Sequence, residues 1–378
     1  MAVLGRYTGA NLPQDVTKRQ PAKRAKVRRS TLITGGAGFI GINLAARLLA
    51  DKRDVLIFDN LCRPGVEQNL RWLCDTYGNG LQVEIADIRD PCLLRKAVQN
   101  ATQVFHLAAQ VAVTTSLETP LEDFDINVRG TLNVLEAMRG MDDPPALVFT
   151  SSNKVYGALE DVLLQDTRLR YEPSDLQVRR TGIDETRPLD FHSPYGCSKG
   201  AADQYVLDYA RSFGLPAAVF RMSCIYGPHQ FGNEDQGWVA HFLIRAMEGE
   251  PITIYGDGRQ VRDVLYVDDL IDALLVAQRN IAQLSGKAFN IGGGTSNTLS
   301  LLEFIEHIAE LEGVRPKLRF GEWRSGDQKH FVSDITRFRR ATGWSPKVSV
   351  RDGIAMLASW IHATRDAASR MARPAAAQ

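Results

Sequence analysis

A doubly wound α/β fold is what this 378-residue sequence predicts, with a smaller mixed α/β lobe toward the C-terminus. Three observations carry the prediction. Short β-branched apolar runs alternate with amphipathic stretches from residue 30 onward. The runs are nearly all apolar instead of alternating, as in parallel strands covered on both faces. The first run then meets a glycine-rich turn, GGAGFIG at residues 35–41, which opens a helical stretch.

The elements follow in order. STLIT (30–34) reads as a strand, the glycine run as a turn, and NLAARLLA (43–50) as a helix. DVLIFDN (54–60), LQVEIADI (81–88), ATQVFHLAA (101–109), PALVFTSS (145–152), PAAVFRMS (216–223) and KAFNIGG (287–293) supply further strands, with helical segments between most of them. A strand, a tight glycine turn and a helix in this order make the unit of a Rossmann-type sheet. After Ser223 the rhythm loosens. GPHQFGNEDQGW (227–238) is a long polar loop, WVAHFLIRAMEG (238–249) a helix and ITIYGDG (252–258) a strand with a turn. The expected organisation is a basic extension at 1–29 and a Rossmann domain at 30–222, with a segment near 260–290 returning to it. A substrate lobe at 223–259 and 291–362 and a frayed tail at 363–378 complete it. The cleft between the lobes is the natural ligand site.

Composition narrows the function. With 45 basic and 44 acidic residues the formal net charge is +1, which argues against a nucleic-acid binder. Five cysteines, an odd number, form no C-x-x-C pair, so a reducing, cytoplasmic setting is expected. No apolar run reaches the length of a membrane span, and the N-terminus lacks the apolar core of a signal peptide. KRQPAKRAKVRR, Lys18 to Arg29, suits an arm for nucleic acid or an acidic partner, or a disordered extension outside the fold. The seven histidines show no metal-ligand spacing, so no catalytic metal is expected.

The residues that carry chemistry lie at strand ends. Gly35, Gly38 and Gly41 allow close backbone approach to a pyrophosphate, with helix N-terminal amides aimed at it. Asp59 ends the second strand eighteen residues past Gly41. A carboxylate there accepts from ribose hydroxyls and repels a 2′-phosphate, which favours NAD over NADP. Asp87 ends the third strand, where adenine contact and a plain strand-end cap both fit. Ser152 closes the strand PALVFTSS and faces the ligand crevice of such a sheet. Tyr195 and Lys199 stand one helical turn apart in HSPYGCSKG. A tyrosine titrating near 10 is a poor base at neutral pH. Lys199, together with a positive nicotinamide ring, is expected to pull that value down. Ser152 would hold the reacting oxygen, and NAD would supply the redox chemistry.

The motifs TGGAGFIG, DN at 59–60, HLAA at 106–109, NVRGTLNVLEA, SSNKVYG, YGCSK, RMSCIYGPH and VRDVLYVDDL resemble the extended short-chain dehydrogenase/reductase family. The resemblance runs from about Thr31 to about Pro346. It implies NAD contacts at Phe39, Ile40, Asn60, Asp87, Ile88, Leu107, Ala108 and Asn127. It also implies a catalytic set of Ser152, Tyr195 and Lys199, the last two touching the cofactor as well, with Ser151 a weaker candidate. NVRGTLNVLEAMRG and the helix near Tyr195 correspond to the family's dimer helices, so a homodimer or homotetramer is expected. Their apolar stripes would also suit packing within one chain.

Within the family, sugar 4,6-dehydratases carry an acidic pair directly after the catalytic hydroxyl. Here the pair is Asn153–Lys154, which disfavours dehydration. Epimerisation by transient oxidation needs no such acid, but the cofactor must stay bound through the cycle. Arg262 and Arg324 match positions that hold a sugar-nucleotide diphosphate, and a guanidinium fork suits phosphate oxygens. Asn153 and His192 are further candidates for the sugar, and His229 flanks the site. The segment around Tyr195, the NKVYG loop and residues 222–242 resemble the family's nucleotide-sugar 2-epimerases, and that resemblance implies inversion at C2 of a CDP-3,6-dideoxyhexose. A UDP-glucose-type 4-epimerase and a C2 epimerase of another nucleotide sugar remain as alternatives, with a non-catalytic NAD-binding protein more remote. The insert at 162–188 suits either a substrate loop or a charged surface loop.

Overall fold

The computed structural model describes residues 30–324 and 326–372. The apolar runs become seven parallel strands: β1 (Ser30–Thr34), β2 (Val55–Asp59), β3 (Leu81–Ile85), β4 (Ala101–His106), β5 (Ala146–Ser152), β8 (Ala217–Met222) and β12 (Ala288–Ile291). Their order across the sheet is β12-β8-β5-β4-β1-β2-β3. The strand order reverses at β1, which pairs β2 on one side and β4 on the other. A crevice outside the carboxyl ends of β1 and β4 follows, the place where such sheets bind ligands.

Successive side chains on a strand point to opposite faces, and both faces are buried here. Ile33, Phe105, Val148 and Phe220 pack on one side with Ile42 and Leu48 of α1 (Phe39–Ala50) and with Leu270 and Leu274 of helix Val267–Arg279. Leu32, Val104, Leu147, Phe149 and Val219 pack on the other with Val134, Leu135, Ala202 and Val206. These come from helices Gly130–Arg139 and Ser193–Phe213. Strand β3 is an edge, and its Val83 and Ile85 are exposed.

The second lobe has its own core around Phe242, Leu243, Phe304, Ile308 and Leu357. It contains β9 (Cys224–Tyr226), β11 (Val261–Tyr266), β13 (Thr298–Ser300) and β15 (His330–Phe331), all paired on β11. Strands β10 (Ile252–Tyr255) and β14 (Leu318–Gly321) form a parallel pair. Within the segment near 260–290, helix Val267–Arg279 and β12 belong to the large sheet's layers, whereas Val261–Tyr266 is the hub of the small sheet. The insert folds as a hairpin of β6 (Leu164–Asp166) and β7 (Tyr171–Pro173), followed by helix Leu176–Thr181. It is tied down by Arg170 to Glu303 and by Tyr171 Oη donating to Asp257 (2.6 Å).

The tail differs from expectation. Helix Val350–Ala372 continues through residues 363–372, because HATRDAASRMA consists mostly of good helix formers and the next proline comes only at 374. The basic 1–29 segment and residues 373–378 lie outside the described residues. Among the described residues no helix is long and apolar enough to cross a membrane.

Candidate active site

The glycine turn is built for close approach. Gly35 sits at φ +70° and donates its amide to Phe58 O (2.8 Å). A Cβ at Gly35 would lie 2.7 Å from Ala108 N, and one at Gly41 would lie 2.4 Å from Gly35 O. Gly38 caps α1 without a side chain, and the first turn, which holds Phe39 and Ile40, contains no acid. Its free amides and positive dipole end therefore suit a pyrophosphate. The residues present fit the dinucleotide that the sequence implies.

Asp59 is anchored beside that turn. Its Oδ2 accepts from Ala37 N (3.0 Å) and its Oδ1 from Leu61 N (2.9 Å). Burial pushes its carboxyl up, against the pull of those amides. Asn60 Nδ2 donates to Asp87 (2.8 Å), and Arg89 grips the same carboxylate through Nε and Nη2 (both 2.8 Å). The Arg89 hydrogen bonds hold Asp87 far below the usual carboxylate range. Ile88 is buried against Gly130. Leu107 N donates to Thr34 O (3.1 Å), so Leu107 and Ala108 line the β4 side of the turn. Asn127 is buried, and its amide nitrogen donates to Gln110 O, Asp123 and Ser198 while its oxygen accepts from Gln110 N. Its polar atoms serve the protein itself.

Ser152, Tyr195 and Lys199 come together although they belong to different elements. Ser152 ends β5, and the other two lie on the first turns of helix Ser193–Phe213. Tyr195 is 8% exposed, and the nearby Ser152 hydroxyl favours its charged form. Lys199 Nζ donates to Thr150 O (2.7 Å) and lies 4.5 Å from the Phe149 ring centroid. Burial pulls Lys199 down to about 8, against the nearby Asp203 and Asp123. At Tyr195, burial raises the phenol, Asp123 adds to the rise, and Ser152 and Arg63 only oppose it. The neighbouring Ser151 hydroxyl is buried without a partner.

The segment after Ser152 is laced to the small lobe. Asn153 Nδ2 donates to Gln328 Oε1 (3.0 Å), and Gln328 Nε2 donates to Gly157 O (2.6 Å). Lys154 Nζ donates to Gly326 O (3.0 Å) and lies 3.5 Å from Asp327. Arg262 bonds the same carboxylate at 2.7 Å. A carboxylate thus stands beside the catalytic loop, supplied by the other lobe. Desolvation would raise its titration, but Arg262 and Lys154 together hold it below the ordinary range. Two cations favour its charged form, which suits it poorly to proton donation. Arg324 is held by the loop after β9: it donates to Glu234 O (2.8 Å), lies 3.5 Å from Asp235 and stacks over Tyr255 at 3.8 Å. His192 pairs with Asp190 at 3.0 Å. His229 packs between Trp72 and Trp360, and burial lowers it to about 4.

Several contributors escaped the sequence reading. Asp203 and Arg221 form a buried bidentate pair (2.9 and 2.9 Å) that fixes helix Ser193–Phe213 to β8. Asp123, Asp327 and Arg63 carry no local motif. Only a fold-level pairing could have found them.

A model of the NAD dependent epimerase/dehydratase family matches residues 31–292. The chain belongs to that family. It is an NAD-dependent epimerase by its relatives and neighbours. It is similar to the CDP-paratose 2-epimerase of Salmonella typhi, 46% identical over 336 residues, which cover 87% of this chain and 98% of that one. Among solved structures it resembles the UDP-glucose 4-epimerase of Thermus thermophilus in complex with NAD, with 31% identity and a TM-score of 0.73, covering 88% and 99% of the two chains. The UDP-glucuronic acid 4-epimerase of Bacillus cereus, solved with UDP-glucuronic acid and NAD, gives 28% identity, a TM-score of 0.76 and coverage of 89% and 99%.

Proposed function

We propose that this NAD-dependent nucleotide-sugar epimerase inverts C2 of a CDP-3,6-dideoxyhexose, interconverting CDP-paratose and CDP-tyvelose. The observation that carries the choice of epimerisation is the pairing of Asp327. This carboxylate beside the Ser152–Lys154 loop is shared by two cations, which favour its charged form and so make it ill suited to supply an acid for the elimination of water. The 46% identity to a CDP-paratose 2-epimerase supports the substrate.

Bound NAD supplies the acceptor and donor of the hydride. Ser152 holds the reacting hydroxyl oxygen. As the phenolate, which Lys199 and the positive ring of a bound nicotinamide would together favour, Tyr195 takes the hydroxyl proton as the carbon is oxidised and returns it when the carbon is reduced on its other face. Lys199 orients the site through Thr150 O and keeps cationic charge beside the crevice. Gly35, Gly38 and Gly41 would cradle the pyrophosphate, with Phe39, Ile40, Leu107 and Ala108 around them. Asp59 would accept from the adenosine ribose. Arg262 and Arg324 hold the sugar-nucleotide diphosphate, and Asn153 and His192 flank the sugar. Tyr205 and Phe213 of helix Ser193–Phe213 are exposed, as are Leu117, Leu121 and Phe124 on the helices before it, apolar surface suited to a homodimer.

Incubation with CDP-paratose, CDP-tyvelose, UDP-glucose and a GDP-sugar in heavy water, followed by NMR, tests the reading. C2 inversion of the CDP sugars without deuterium at C2 is expected. Stoichiometric deuterium there, or turnover of UDP-glucose alone, refutes it.

A further inference from the structure

The loop after β9, residues 227–237, is pinned to the elements that carry the glycine turn. Asn43 of α1 donates to Pro228 O (2.9 Å). Asn69 of α2 (Val66–Tyr77) donates to His229 O (3.2 Å) and to Ala37 O (3.3 Å), the latter inside the glycine turn itself. Trp72 lies against His229 at 4.1 Å. Farther along the loop, Arg63 of the β2–α2 turn donates through Nη2 to Gln236 Oε1. Two residues on, Gly65 at φ +87° approaches Phe231 so closely that a Cβ would fall 2.5 Å from the ring. The turn that follows Asp59 is therefore joined side by side to the loop that leads into the small lobe.

Arg63 lies within electrostatic reach of both Asp59, at the strand end next to the glycine turn, and Tyr195. None of the roles assigned above uses it.

We propose that Arg63 and Gln236 form a strap across the crevice that keeps NAD on the protein between oxidation and reduction. Arg63 is a positioning residue: it acts through Gln236. The two segments it joins come from different parts of the fold, so release of a cofactor lying beneath requires local separation of the β2–α2 turn from the 227–237 loop. Ligand loss through such an opened state is slowed by each contact that must break first. A hydrogen bond from a guanidinium is among the stronger ones available. Retention of this kind is what a reaction that returns its own hydride requires.

The test follows bound nucleotide, independent of turnover. Full-length wild type, R63A, Q236A and Q236E are loaded with NAD, freed of excess by gel filtration and diluted, and the NAD still bound is measured over time. R63A and Q236A should lose NAD about tenfold faster, equivalent to ~1.4 kcal/mol of barrier. Q236E, whose carboxylate still accepts from Arg63, should hold NAD at least as long as wild type. Release from R63A and Q236A within twofold of wild type overturns the strap, and so does Q236E releasing as fast as Q236A. If R63A does not fold, the Q236A and Q236E pair decides, with unchanged unfolding midpoints as the check on fold.

Discussion

Lys199→Met should make the protein more stable while removing its activity. The lysine is 3% exposed, and burial lowers it from 10.5 to about 8. That depression amounts to roughly 3 kcal/mol by which the buried ammonium disfavours folding. Methionine fills similar space without a charge. It forfeits the hydrogen bond to Thr150 O and the contact with the Phe149 ring, a loss of roughly 1–2 kcal/mol. The net gain at pH 7 is about 1–2 kcal/mol. The sign depends on pH. A lysine with a depressed folded value destabilises fully below pH about 8, and the penalty fades as pH rises toward 10.5. Above that, only the lost contacts remain. Urea unfolding of the nucleotide-free proteins at pH 7 and pH 10, followed by circular dichroism, reads both points. The variant should lead at pH 7 and lose that lead at pH 10, with turnover down at least ~10²-fold. A variant less stable than wild type at pH 7, or an identical difference at both pH values, would refute the assignment of Lys199 as a strained, desolvated cation.

Asp327→Asn removes the anion shared by Arg262 and Lys154, whose side chains are 8% and 21% exposed. It should cost about 2–4 kcal/mol in urea unfolding; a change below ~0.5 kcal/mol would show that the pair contributes no more than a surface salt bridge. Gly41→Ala puts a Cβ 2.4 Å from Gly35 O and 2.6 Å from Gly36 Cα. Backbone must move to accept it, so a loss of about 2–3 kcal/mol and weakened NAD binding by calorimetry are expected. Binding and stability equal to wild type would show that the turn tolerates a shift the packing here does not allow.

Much of this was legible because it is local. GGAGFIG shows its turn through spacing alone, and Asp59 is fixed by its place at the end of β2. Tyr195 and Lys199 share a helix face because residues four apart do so in any helix. The apolar runs that become β1, β4, β5 and β8 carry the sheet, since strands buried on both faces have no polar side to alternate. Residues 363–372 were misjudged for the same local reason, small residues being read as fraying when alanine favours helix.

What the chain's order alone could not determine is how distant segments meet. Asn153–Lys154 showed the absence of an acid, but the carboxylate that fills the space, Asp327, arrives from the other lobe, 173 residues after Lys154. Arg63 and Gln236 stand the same 173 residues apart. The direction of the Tyr195 shift was likewise decided by burial, a property of the packed neighbourhood. Sequence determined which side chains carry the chemistry and on which element ends they sit, because turn geometry, helix periodicity and strand burial act over a few residues. Tertiary structure alone decided which charges neutralise one another and which groups lose water, because Coulomb energy and desolvation depend on distance through space and take no account of separation along the chain.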